Sequence, residues 1–167
     1  MADFNFNTYM EWVATKLKEL SHTASDPHFS RCTSLAGLEE LASNFKNSSG
    51  VQLVIEDSPS GTMDDSSQSD NLIDRKFYVF YILKAIPFHD HDARETAVQL
   101  ATTIMKKILS KMFKDKRDCA LGLMDLDRTS INYDVVDYVG NNCSGLMVRF
   151  TLLEASDIAF DVDDWND

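Results

Sequence analysis

An α+β fold, with a mainly antiparallel sheet packed against one long helix, is predicted by three stretches of this 167-residue chain. The first is Arg75 to Ile86, RKFYVFYILKAI. As a strand it places Phe77, Val79, Tyr81 and Leu83 on one face and Tyr78, Phe80 and Ile82 on the other, so both faces are apolar. The second is Ala93 to Lys114, where Ala97, Leu100, Ile104, Ile108 and Met112 form a broad stripe at helical spacing, with Ala101, Met105 and Leu109 beside it. The third is Ser130 to Val139 and Gly145 to Glu154, two strand patterns joined by GNNCSG and read as a hairpin. A strand apolar on both faces needs cover on both. One cover can come from the chain itself, and the other from a second sheet or a neighbouring subunit.

The remaining elements follow in order. An N-terminal helix is expected from Thr8, with Thr8 and Glu11 in capping-box spacing and Phe6, Tyr9, Val13, Leu17 and Leu20 as its stripe, ending near Ser21 or His22. A short helix is expected from Leu35 to Phe45, with Leu35, Leu38, Leu41 and Phe45 on one side, stopped by NSSG. Val51 to Glu56 reads as a strand, and DSPSGTMDDSSQSDN after it as a long polar loop projecting from the sheet like a finger. Pro87 breaks the doubly apolar strand, and Asp92 with Glu95 makes a second capping box for the long helix. Lys106, Lys107, Lys111 and Lys114 crowd that helix's C-terminal half, where they complement its dipole. Leu146, Val148, Phe150 and Leu152 give the last strand one clean core face. Residues 1–155 are read as one α+β domain and residues 156–167 as an acidic tail, with Asp157, Asp161, Asp163, Asp164 and Asp167 around Phe160 and Trp165.

Length and 44% hydrophobic content suffice for a core without metal or disulfide staples. A formal charge of −11 repels phosphate backbones and argues against specific recognition of nucleic acid. RKFYVFY resembles an RNA-binding strand only superficially, since it lacks the glycine such strands place between aromatic and basic positions. Cys32, Cys119 and Cys143 show no CxxC spacing and read as reduced, mostly structural thiols. The start, MADFNFNTYMEW, has neither a basic region nor a secretory apolar run, and no window approaches the roughly 20 apolar residues that span a bilayer. Synthesis in the cytoplasm without membrane association is therefore expected.

No catalytic signature stands out, and no enzyme activity and no cofactor are expected. His89, Asp90, His91 and Asp92 are the tightest group of possible metal ligands, but the histidines lie two apart and Asp92 is assigned to capping. Asp125/Asp127 and Asp163/Asp164 lack the central glycine and closing glutamate of a calcium loop and read as solvated carboxylates. No GxSxG, Walker loop, GxGxxG or HExxH occurs.

In its order of elements, the chain resembles the tail terminator and tail-completion (neck) proteins of long-tailed bacteriophages. An amphipathic helix (Tyr9 to Leu20) precedes VQLVIED; an acidic loop leads to KFYVFYILKAI; a helix crosses the sheet; INYDVVDYVGNNCSGLMVRFTLLE closes it. The helix Leu35 to Phe45 and the acidic tail depart from that pattern. The resemblance implies a non-enzymatic virion protein, assembled in the host cytoplasm, whose subunits form a ring, commonly a hexamer. That ring would stop tail-tube growth and meet the head connector, so the implied partners are further copies of itself, tail-tube proteins and connector proteins. An acidic lumen would resist sticking to passing DNA. Phe77, Tyr78, Phe80 and Tyr81 are the candidates for subunit packing, and Met63, Asp64, Asp65, Asp70 and Asn71 for partner contact, although the intramolecular core is the commoner fate of such aromatics. Deleting Ser60 to Asn71 is expected to spare the fold and abolish partner binding. The alternative is a soluble acidic adaptor or immunity-type module that meets a basic partner.

Overall fold

The computed structural model describes residues 4–46, 50–58, 60–64, 72–120, 122–140 and 142–156. Its elements are α1 (Phe6–Lys16), β1 (Phe29–Cys32), α2 (Leu35–Ser43), β2 (Gln52–Glu56), β3 (Gly61–Asp64), β4 (Leu72–Ala85), α3 (His91–Arg117), a single 3₁₀ turn (Leu123–Asp125), β5 (Leu126–Val139) and β6 (Cys143–Ser156). The fold is α+β, as expected. Six strands form one sheet in the order β1-β2-β4-β6-β5, with β3 also on β4. Every pairing is antiparallel except β1 with β2. Because β6 pairs along the whole of β4, from Leu72 opposite Ser156 to Ala85 opposite Cys143, β2 and β3 share β4's other edge, one after the other.

The doubly apolar strand is the centre of the molecule. On one face, Phe80 and Ile82 join Leu53, Ile55, Val148, Phe150 and Leu152 beneath α1 and α3. On the other, Tyr81 and Leu83 join Val54, Cys32 and Cys143 beneath Leu38 and Ala42 of α2. The second cover therefore comes from the chain's own short helix, not from a second sheet, and it reaches only the C-terminal half of β4. Toward the N-terminal half Val79 is half-buried and Phe77 is 41% exposed.

Local chemistry sets the ends of the elements. Asn5 caps α1 by accepting from the Thr8 N–H at 2.9 Å, so the helix begins before the expected Thr8 box. It ends at Lys16, and Leu20 reaches the core from the turn that follows. Asp90, not Asp92, caps α3, accepting from the Ala93 N–H at 2.9 Å, and Asp92 sits in the first turn where its charge suits the dipole. In α2, Leu38 and Ala42 carry the packing while Leu35 points outward. Gly140 (φ +58) lets the β5–β6 turn pass under α2, since a Cβ there would lie 2.4 Å from the Ser43 nitrogen. The Asn142 side-chain amide then donates to the Phe45 carbonyl at 3.1 Å, fixing α2 to that turn.

Two short strands depart from the expected pattern. β1 adds a parallel edge beside β2, with Phe29 opposite Leu53 and Cys32 opposite Glu56. β3 lies inside the stretch expected to be loop, with Met63 opposite Asp74 and Asp64 opposite Ile73. The finger is thus partly a β-hairpin extension of the sheet.

Candidate interaction site beside the β2–β3 break

Ser-Pro-Ser-Gly interrupts the strand that would otherwise run from β2 into β3. Glu56 would stand beside Val79, and pairing resumes with Gly61 opposite Lys76, so the chain between Glu56 and Gly61 is two residues longer than the Phe77–Tyr78 stretch of β4 that it passes. One ladder bond bridges the gap, from the Phe77 N–H to the Ser60 carbonyl at 2.8 Å. The detour is held to the β1 end by the Asp57 N–H donating to the Cys32 carbonyl at 2.7 Å and by the Ser58 hydroxyl donating to the Thr33 carbonyl at 2.6 Å.

The gap opens a cavity of about 530 Å³ between this break and the start of α1. Its aromatic wall is built from Tyr78, which stacks on Phe150 at 5.3 Å between centroids, and from Phe4 and Phe6, at 5.6 and 4.9 Å from the Tyr78 ring. Met63, 56% exposed, forms an apolar lip on the Tyr78 face, while Phe77 borders the gap from the other face of β4. Glu56, Asp57 and Asp74 line the rest, with Lys76 the only cation among the described lining residues. Lys76 is occupied by Glu154 at 2.5 Å, and that bond leads the causes raising its pKa. Burial first, then the Glu154 charge, raises the Tyr78 hydroxyl, so the ring stays neutral. An aromatic wall, an apolar lip and a surplus of carboxylates suit a protein segment with an apolar anchor and basic flanks.

Of the residues singled out in the sequence, Met63 and Tyr78 share one face of the cavity, and Phe77 borders it from the other face, that of Val79 and Tyr81. Asp64 lies on the opposite face, paired with Arg75 at 2.5 Å. Phe80 and Tyr81 are taken up by intramolecular packing, Phe80 between the sheet and α1 and α3, Tyr81 beneath α2. Their burial closes them to a partner. Asp65, Asp70 and Asn71 lie outside the described residues, as do Asp163 and Asp164 of the tail. Phe4, Phe6, Glu56, Asp57, Asp74 and Lys76 are among the lining residues that sequence reasoning missed; the turn residues SPSG are the signal that the strand splits.

The other candidate chemistry is dispersed. His89 is exposed at φ 61 with its ring 4.0 Å from Phe88, and His91 opens α3 facing solvent. Among the described residues no three His, Cys, Asp or Glu side chains gather in a metal-holding arrangement. Asp127 accepts from the Thr129 hydroxyl at 2.6 Å and its N–H at 2.9 Å, which holds the carboxyl below its usual range and identifies a turn.

A second feature lies at the far edge of the sheet. Among the described residues β5 pairs only with β6, and its register is regular from Asn132 to Val136 between two irregularities. On the helix-bearing face of that stretch Tyr133 and Val135 are 57% and 48% exposed. Comparisons with protein-family models, with curated proteins and with solved structures found no match.

Proposed function

We propose that this chain is a non-enzymatic, ring-forming structural protein of a phage or phage-like tail, one that ends the tail tube and joins it to the head connector. The observation that carries the reading is the outer edge of β5, which no strand pairs among the described residues, with Tyr133 and Val135 exposed beside it. An unpaired edge strand is a template for another chain, and exposed apolar groups beside it supply area to bury. The opposite edge is unlike it, being the four-residue β1. Unlike edges favour a head-to-tail contact over a self-complementary one, and a head-to-tail contact whose rotation closes makes a ring. The cavity with Met63 at its lip and Tyr78 in its wall, beside the β3–β4 hairpin, then serves as the surface for a tube or connector segment.

Replacing Tyr133 and Val135 together by aspartate should reduce the assembly to single chains in sedimentation, with the far-UV circular dichroism unchanged. An assembly of undiminished mass would sink the edge assignment. The hairpin is tested separately. Since β3 pairs with β4, deletion of Ser60 to Asn71 would remove a strand, so the cleaner change replaces residues 66–71 with Asn-Gly, which keeps Asp64 opposite Ile73. The ring mass should hold while capture of purified tail tubes is lost; retained capture would exclude the hairpin. A second reading, an acidic adaptor for a basic partner, is favoured by Glu56, Asp57 and Asp74 around the cavity. It predicts a monomer whose partner binding weakens steeply with salt.

A further inference from the structure

The strongest local departure from the chain's acidic character lies on α3. Lys106, Lys107, Lys111, Lys114, Lys116 and Arg117 fall within its last three turns, in a chain that carries only 16 Lys and Arg against 27 Asp and Glu. Lys106, Leu109, Ser110, Phe113, Lys114 and Arg117 recur at helical spacing and line a groove of about 680 Å³ on the outer side of the helix. Leu109 and Phe113 are half-buried and form its floor. Arg128 reaches over the Phe113 ring from β5, 5.2 Å from its centroid.

Part of this charge is already answered. Lys107 pairs with Glu19, Lys111 with the buried Asp115 and Lys114 with Asp118. Lys106 and Arg128 have no ion pair among the described residues, and Arg117 has only a 3.9 Å contact with Asp118. A cationic stripe with an apolar floor is the complement of an acidic segment carrying aromatic anchors. Residues 157–167, DIAFDVDDWND, are such a segment, with five Asp, no Lys or Arg, and Phe160 and Trp165 between them.

Topology places the start of that segment within reach. β6 runs to Ser156 opposite Leu72, and α3 crosses back from the Ala85 end of β4 toward the same end of the sheet. Leu126, close behind α3 in the chain, stands opposite Leu152. Eleven extended residues span up to about 36 Å, and the stripe from Lys106 to Arg117 is only about 17 Å long at helical rise. We propose that residues 157–167 dock on the α3 stripe of their own chain, aspartates toward Lys106, Lys114, Arg117 and Arg128, aromatics on Leu109 and Phe113. The tail then neutralises the basic face that would otherwise attract unrelated anions.

Trp165 reports on this directly. In a Trp12→Phe background it is the sole tryptophan. Acrylamide quenching of its emission should be several-fold weaker than in the same chain carrying Asp163→Asn and Asp164→Asn, with matching far-UV circular dichroism as the check that the fold is kept. Lys106→Glu with Lys114→Glu should release the tail to the same extent, and protection should not change with protein concentration. Equal quenching with and without the Asp163 and Asp164 changes would overturn the proposal. Protection that grows with concentration would overturn docking in cis and assign the stripe to the tail of another copy.

Discussion

At Gly145 β6 comes so close to β4 that a Cβ would lie 1.9 Å from the Ile82 carbonyl oxygen. No side chain fits there without parting the two central strands. Gly145→Ala should destabilise the fold by about 3 kcal/mol or more, as a lowered urea midpoint, because overpacking here displaces backbone on both sides. A stability within about 0.5 kcal/mol of the parent, the scatter seen for inert substitutions, would contradict the register. Tyr9 is the polar counterpart. Its hydroxyl donates to Asp115 at 2.8 Å, Lys111 also donates to Asp115, and the Lys111 ammonium sits 4.8 Å from the Trp12 ring, tying α1 to α3. Burial, then the Asp115 contact, pushes the Tyr9 hydroxyl up. Burial likewise pushes Tyr81 up to about 12 and Cys143 up to about 11. In each case the folded chain holds its proton more tightly than the unfolded chain, where release occurs near 10 for tyrosine and 9 for cysteine. Their contribution is fully present below about pH 9 and is lost as pH rises to about 12. The urea midpoint should fall across that window, less steeply in Tyr9→Phe; a flat profile would contradict the buried placement of these groups.

Among the elements, those with many repeats of one period were legible. β4, β6 and α3 each carry long runs in which every second residue, or every third and fourth, is apolar, and each of them lies in a core cluster. The α3 start was misread by a few residues because DHD offers two aspartates able to cap, and only the path of the chain out of β4 selects Asp90. β1 and β3 were missed for a different reason. Each is only four residues long, β1 pairs with Leu53 to Glu56 across an intervening helix, and β3 sits in a run of Gly, Thr and Asp with no apolar alternation. Their stability comes from neighbouring strands, which local sequence does not record. The cavity was illegible for the same reason: it arises from an offset between two pairings on one edge of β4, so Met63 and Tyr78 could be named individually without showing that they line one space.

At the scale of the whole molecule, the sheet is covered unevenly. α1 and α3 cover one face up to Tyr133 and Val135, α2 covers part of the other, and among the described residues no strand pairs with the outer edge of β5. The Arg94 guanidinium bonds both oxygens of Asp137, at 2.8 and 2.5 Å, tying the start of α3 to β5 near the end of the regular stretch. Such a molecule presents a firm edge rather than a frayed one, which suits repeated association in a fixed geometry. The net charge of −11 adds repulsion between copies, so assembly should tighten as salt screens it. The native mass of the purified chain, followed by light scattering after size exclusion over a wide concentration range and at two salt concentrations, tests the ring most directly. A single closed species of hexameric or larger mass, favoured by salt, is the predicted result. A monomer whose mass stays the same at every concentration and salt level would contradict it.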